Sequence, residues 1–398
     1  MNYRGYIIYR ARILRSWSQA GLCKGICTVS YLSKIETGKA EPSEEILRLL
    51  LERLGLKSDA ETEKEAAALA ERGWELLLDG RDAELAELLR KTDTERYTAV
   101  PAWLDLALLS LKEPLDAALE QCMDIRQLAL QRILQGRQAE AVRLFPNAYT
   151  FLVLGIAEYN KGNYSAAVDS LQTAYDLACR DGAVRIMLEA KLFLGNSYSN
   201  RKDLSNMERH YRVGKRLAED LRDENALWVI GYNTASTWLE AGRYEDAYEW
   251  FSVQEQPTMM SLHKLAICCE KTGRREEALC ALERAKGMDT DEVERSLALQ
   301  LLGLVRYRLE HPDYLSREEY GLLLLSCFER IRKELPSGYA VFHLPWVLEW
   351  YKAARQYKKA CDLLEDFPEN AVKCVLTRVF EEIFPNIRGS FASLDVLY

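Results

Sequence analysis

The side chains between residues 28 and 39 best equipped for chemistry are a run of hydroxyls and cations: Thr28, Ser30, Tyr31, Ser33, Lys34 and Lys39. They offer hydrogen bonds to base edges and phosphate oxygens. Ile26, Val29, Leu32 and Ile35 recur at three-residue steps, which a helix gathers into one buried stripe and which turns the polar set outward. Around them, the segment from Ser18 to Ser43 reads as two short helices about a tight turn, closed by the stop Thr37-Gly38-Lys39.

Two helices in this order form a helix-turn-helix, and its second helix can lie in the DNA major groove. The charge agrees. Residues 1–57 carry ten Lys/Arg against five Asp/Glu, whereas the remaining chain carries 43 against 56. A basic head of net +5 on an acidic body of net −13 favours phosphate contact at one end only.

At 398 residues and 48% hydrophobic content the chain can bury an extensive core in more than one domain. No apolar run reaches the roughly 20 residues that span a bilayer, and Arg4, Arg10 and Arg12 precede no signal-peptide core, so no membrane segment and a cytoplasmic location are expected. Ten cysteines are scattered, and neither Cys23/Cys27 nor Cys268/Cys269 has zinc-site spacing; they are expected to be core thiols in a reducing compartment. His210, His263, His311 and His343 are dispersed, with no nucleophile elbow or phosphate loop. No enzymatic activity, cofactor or metal is expected.

Past residue 65 one phrase returns six times, at Gly80, Gly136, Gly162, Gly242, Gly273 and, with arginine in the glycine position, at Arg355. Five residues later stands an alanine in five of the six copies, and a large apolar residue follows four positions on. The glycine ends one helix and the alanine lets that helix approach the next. These phrases resemble tetratricopeptide repeats, best at Leu154, Gly155, Ala167, Leu171 and Ala174. Another pair is expected to turn at His311-Pro312-Asp313, giving about eight pairs in a right-handed solenoid with a concave face.

In such repeats the first helix lines the concave face. Its inward positions are Arg126, Tyr159, Asn160, Asn196, Ser199, Asn200, Tyr232, Asn233, Ser236, His263, Glu270 and Lys271. An asparagine pairs a donor with an acceptor, so several can clamp an extended peptide backbone; Arg126 or Lys271 would hold its terminal carboxylate. Asn160 and Asn200 lie near turns and read equally as helix caps.

The chain is therefore expected to be all-α, with a five-helix, phage-repressor-like head at residues 1–60 and a repeat domain at 61–398. This order, with Ser30-Tyr31-Leu32-Ser33-Lys34-Ile35-Glu36-Thr37-Gly38-Lys39 and Pro42-Ser43, resembles the RRNPP group of bacterial peptide-responsive regulators with XRE-type heads. The resemblance implies a quorum-sensing transcription regulator: a homodimer on an operator, switched by a short signalling peptide. It implies that Thr28 caps the recognition helix, that Val29, Ser30 and Lys34 face bases, and that Gln19 and Lys39 meet the DNA backbone. Tyr31 would touch sugar or phosphate, and Glu36 would pair internally with Arg12. Two rival readings stand beside it: a repeat scaffold or response-regulator-directed regulator without a peptide-gated DNA switch, and an enzyme, for which the dispersed histidines offer little.

Overall fold

The computed structural model describes residues 2–56, 59–201, 203–288, 292–335 and 337–367, and these contain α- and 3-10 helices but no strand. Four helices come first: α1 (Tyr3–Leu14), α2 (Gln19–Cys23), α3 (Val29–Glu36) and α4 (Glu44–Arg53). A fifth, α5 (Ala60–Leu78), follows. Each begins on a side-chain cap, with Asn2, Ser18, Thr28, Ser43 and Asp59 accepting from the backbone N–H three residues on. Such a cap fixes where the helix starts and is worth about 1 kcal/mol.

From α5 onward the described residues hold eight helix pairs. They are α5 with α6 (Asp82–Lys91), α8 (Ile125–Leu134) with α9 (Gln138–Leu144), α10 (Ala148–Asn160) with α11 (Tyr164–Asp181), α12 (Val184–Asn200) with α13 (Leu204–Leu221), α14 (Glu224–Glu240) with α15 (Tyr244–Ser252), α16 (Met259–Lys271) with α17 (Arg275–Lys286), α18 (Glu292–Glu310) with α19 (Glu318–Glu334), and α20 (Ser337–Ala353) with α21 (Tyr357–Glu365). A single helix, α7 (Trp103–Leu109), is inserted after the first pair. The expected turn at residues 311–313 lies between α18 and α19.

The repeated phrase has one physical job. At all six sites the residue after the glycine position donates to a carbonyl five residues back, as Arg81 does to Leu76 and Arg274 to Cys269, closing the first helix in a Schellman turn. That turn needs positive φ, which the five glycines adopt and which Arg355 is forced into at 58°. The residue five positions on is buried in every copy, as Leu85, Ala141, Ala167, Ala247, Ala278 and Ala360.

The chain divides into two compact units, Met1–Ala157 with Asp169–Ala190, and Glu158–Val168 with Lys191–Tyr398. In the first, Ile8, Leu22, Leu32, Ile35, Leu47, Leu50 and Leu54 form the core of the head. The other face of α1 packs Tyr3 and Tyr6 on Leu104 of α7 and on Leu119. Arg4 adds a bidentate pair with Glu63 of α5 at 2.7 and 2.8 Å. In the second unit Ala235, Phe251, Ala266, Leu282 and Leu302 lie in one core and Leu301, Tyr320, Phe328 and Leu344 in another. No described helix is long and apolar enough to cross a membrane.

Candidate nucleic-acid face and ligand cleft

Two features order the outer edge of α3. Thr28 Oγ1 accepts from Tyr31 N at 3.2 Å, starting the helix at Val29. Beneath it, Glu36 takes a two-bonded grip from Arg12, Nε to Oε1 at 2.6 Å and Nη2 to Oε2 at 2.9 Å, with both side chains buried. The Glu36 bond raises the Arg12 pKa, so the guanidinium stays charged inside the head. A buried pair of this kind is costly to break because the survivor is left as an unpaired charge.

Gln19 completes this cluster by donating its amide to Glu36 Oε2 at 2.8 Å. Its side chain thus braces α2 against α3. Tyr31 donates its hydroxyl to the carbonyl of Glu41 at 3.0 Å, tying α3 to the loop before α4. Thr28, Val29, Ser30, Lys34 and Lys39 are exposed.

The predicted apolar stripe needs one correction. Leu32 and Ile35 are fully buried and Ile26 is partly so, but Val29 is 44% exposed. Being the first residue of α3, it lies beyond the packing of α1, α2 and α4. Helix α2 is also shorter than usual at five residues, although Cys23 fills its core position and is buried.

The second unit contains a cleft of about 250 Å³. Eight of the twelve side chains named from the repeat pattern line it: Tyr159, Asn160, Asn196, Ser199, Asn200, Tyr232, Asn233 and Ser236. Asn196 is its hub, where Oδ1 accepts from Tyr211 Oη at 2.5 Å and from Asn233 Nδ2 at 2.9 Å. Asn200 donates to Tyr159 Oη at 3.2 Å and to the Asn196 carbonyl at 3.0 Å, and Ser199 meets Thr237 at 2.6 Å. Burial pushes Tyr159 up to about 12 and Tyr211 further, so both hydroxyls stay protonated at neutral pH. This network holds the asparagine side chains in fixed orientations.

Four side chains expected on that face lie elsewhere. Arg126 belongs to the first unit, where it covers the Trp74 ring at 5.2 Å and pairs with Glu71 at 3.5 Å. His263 is buried and stacks on His343, with ring centroids 5.9 Å apart. Glu270 accepts both bonds of the Arg308 guanidinium, at 2.7 and 2.6 Å. Lys271 is exposed and outside the cleft lining.

The structure also brings in residues that the pattern did not name, among them Tyr164, Tyr211, Lys264, Tyr339 and Phe342. Tyr211 enters through a gap in α12, because a Cβ on Gly195 would lie 2.1 Å from its ring. Tyr339 and Phe342 come from α20, whose Gly338 stands close to the Asn200 side chain. Lys264 is 94% buried, donates to Ser236 Oγ at 2.6 Å, and sits over the rings of Tyr232 at 4.4 Å and Phe342 at 5.1 Å.

Residues 8–60, which contain the Arg12–Glu36 pair and the capped α3, match the helix-turn-helix family. The N-terminal segment is a helix-turn-helix domain. Within this domain α2 and α3 are the two helices of the motif. A stretch of 37 residues is 57% identical to the transcriptional activator NprA of Geobacillus stearothermophilus, spanning 9% of this chain and 9% of that protein's length. Two solved structures align more widely. One is Bacillus thuringiensis PlcR in complex with the peptide PapR7 and DNA, at 17% identity and a TM-score of 0.31, covering 77% of this chain and 98% of PlcR. The other is the apo form of the competence regulator ComR from Streptococcus vestibularis, at 13% identity and a TM-score of 0.27, covering 70% of this chain and 98% of ComR.

Proposed function

We propose that this protein is a sequence-specific DNA-binding transcription regulator, acting in the cytoplasm as a homodimer, whose repeat region binds a short signalling peptide and thereby switches DNA binding. The head at residues 1–60 is the reader and residues 61–398 the sensor and dimer contact; of these, 368–398 lie outside the described residues. The observation that carries this reading is the exposed edge of α3, where Val29, Ser30 and Lys34 stand free on a helix whose inner face is locked by Arg12, Glu36 and Gln19. In contact with DNA, Val29 meets a thymine methyl, Ser30 and Lys34 meet base edges or phosphate, and Lys39 meets phosphate. Tyr31 and Gln19 hold the reading helix in place through the bonds they already make.

One such helix spans too few base pairs for useful affinity, so two heads on two half-sites are required. The cleft supplies the control. Asn196, Asn200 and Asn233, held by their neighbours, offer amide groups to a peptide backbone, and a ligand that prefers one arrangement of the repeats shifts the population of the other. The short match to a transcriptional activator supports the DNA half of this reading.

The test is fluorescence anisotropy of the full chain on its own upstream DNA at two salt concentrations, beside Lys34→Ala. Specific, salt-dependent binding is expected, and removing this one cation should reduce the salt slope by about one. Affinity no better than for random DNA, with or without peptide, would refute the reading.

A further inference from the structure

Lys264 is a cation in the wrong place for a folded protein left to itself. It is 94% buried in a cleft wall, and its neighbours are one hydroxyl and two aromatic rings. Among the described residues it forms no ion pair. An ammonium carries three donors, and only one is used, on Ser236. Ser236 is itself saturated in this direction, since it passes its own proton to the Tyr232 carbonyl at 2.6 Å.

A second donor stands beside it. The Tyr232 hydroxyl is buried in the same cleft, and Tyr339, on the facing wall, is the one side chain there, among the described residues, that interacts with it. An ammonium with two unused donors and a buried hydroxyl therefore line one space. Buried charges are ordinarily paired, and the carboxylate in the cleft lining, Glu240, forms no ion pair with Lys264, so the ammonium lacks an anion with acceptor oxygens beside it.

The volume narrows the choice. About 250 Å³ lies just below the range of roughly 300–1,000 Å³ typical of pockets for small molecules, which leaves room for the end or one side chain of a peptide and not for its whole length. We propose that Lys264 and Tyr232 form a carboxylate receptor that seats one carboxylate of a peptide ligand while the asparagines hold its adjacent backbone. This rests on the reading of the cleft as a peptide site. The carboxylate is either the free C-terminus or an Asp or Glu side chain, which share the same recognition chemistry.

The experiment uses three pools of synthetic heptapeptides with the full-length chain. One has a free C-terminus and no acidic residue, one has an amidated C-terminus with one Asp or Glu, and one is amidated without acid. Retention is read by equilibrium dialysis and mass spectrometry for the unmodified chain, Lys264→Met and Asn233→Ala. The proposal expects one of the carboxylate-bearing pools to be retained at least about tenfold over the uncharged pool, with that preference lost in Lys264→Met. Which pool wins identifies the source of the carboxylate. Equal retention of all three pools, weakened by Asn233→Ala and not by Lys264→Met, would overturn the receptor and leave the peptide site standing. Retention of no pool above the Asn233→Ala background would overturn both.

Discussion

Replacing Lys264 by methionine should make the ligand-free protein more stable, and the effect should depend on pH. Burial lowers the lysine pKa from its ordinary 10.5 to about 8. At pH 7 the group is charged in both folded and unfolded chains, so the difference of about 2.5 pH units costs the fold roughly 3 kcal/mol, at 1.36 kcal/mol per unit. That difference already contains the charge's own bond and cation–π contacts, so methionine, which keeps the apolar stem, gives up only the Ser236 bond a neutral amine would keep, about 1 kcal/mol, leaving a net gain of about 2 kcal/mol. The sign with pH follows from proton counting. Between pH 8 and about 10.5 the unfolded chain holds a proton that the folded chain has released, so the unmodified protein gains stability across that window. The penalty is complete below pH 8 and gone above about 10.5. Urea midpoints followed by tryptophan fluorescence should therefore favour Lys264→Met at pH 7 and show no advantage at pH 10.5. A variant that is less stable at pH 7, or whose advantage does not change with pH, would refute the claim that Lys264 is an uncompensated buried charge.

Three further substitutions test the frame around these sites. Glu36→Ala should destabilise the head by about 3–5 kcal/mol, because Arg12 is left buried without its partner, and Arg12→Met in the same chain should recover part of the loss in thermal unfolding. Gly195→Ala should drive the Tyr211 ring away from Asn196 and cost about 1–3 kcal/mol by overpacking; hydrogen exchange in α12 and α13 should then accelerate, and unchanged protection would contradict the close approach. Arg355→Gly should stabilise the last described hairpin by about 0.5–1 kcal/mol, since glycine adopts φ near 58° without the penalty a side chain incurs, and exchange in α21 should slow.

What the sequence discloses about this protein depends on how far apart the interacting residues are. The turn glycine, its alanine five residues on and the bond back to the first helix all lie within one short segment, so the six phrases read as hairpins from the sequence alone. Thr28 as a cap and Arg12 with Glu36 were legible through the family resemblance. Val29 fits two incompatible places in the sequence, a buried stripe and a base-facing edge, because three-residue periodicity does not show where neighbouring helices stop. The cleft divides in the same way. Residues from α10, α12 and α14 are legible because the inward face of a first helix repeats from unit to unit. Lys264 carries a fainter signal in the repeat spacing: Gly242 and Gly273 are 31 residues apart, and the same offset carries Asn233 to Lys264 and Tyr232 to His263. Of the two, His263 turned into a packed cluster with His343 and Lys264 into the cleft. Tyr211 needed a different clue, a glycine in one helix and an aromatic sixteen residues later, the spacing at which Gly155 also admits Leu171. Tyr339 and Phe342 lie outside the register of the repeat altogether. Their place opposite Asn200 comes from how α20 meets α12 across more than a hundred residues, a relation set by packing that no local pattern encodes. It also makes α20 the element a ligand has to displace if more than one peptide residue is to enter, so hydrogen exchange in residues 338–348 should rise on binding if the cleft opens and fall if it closes around a single seated end.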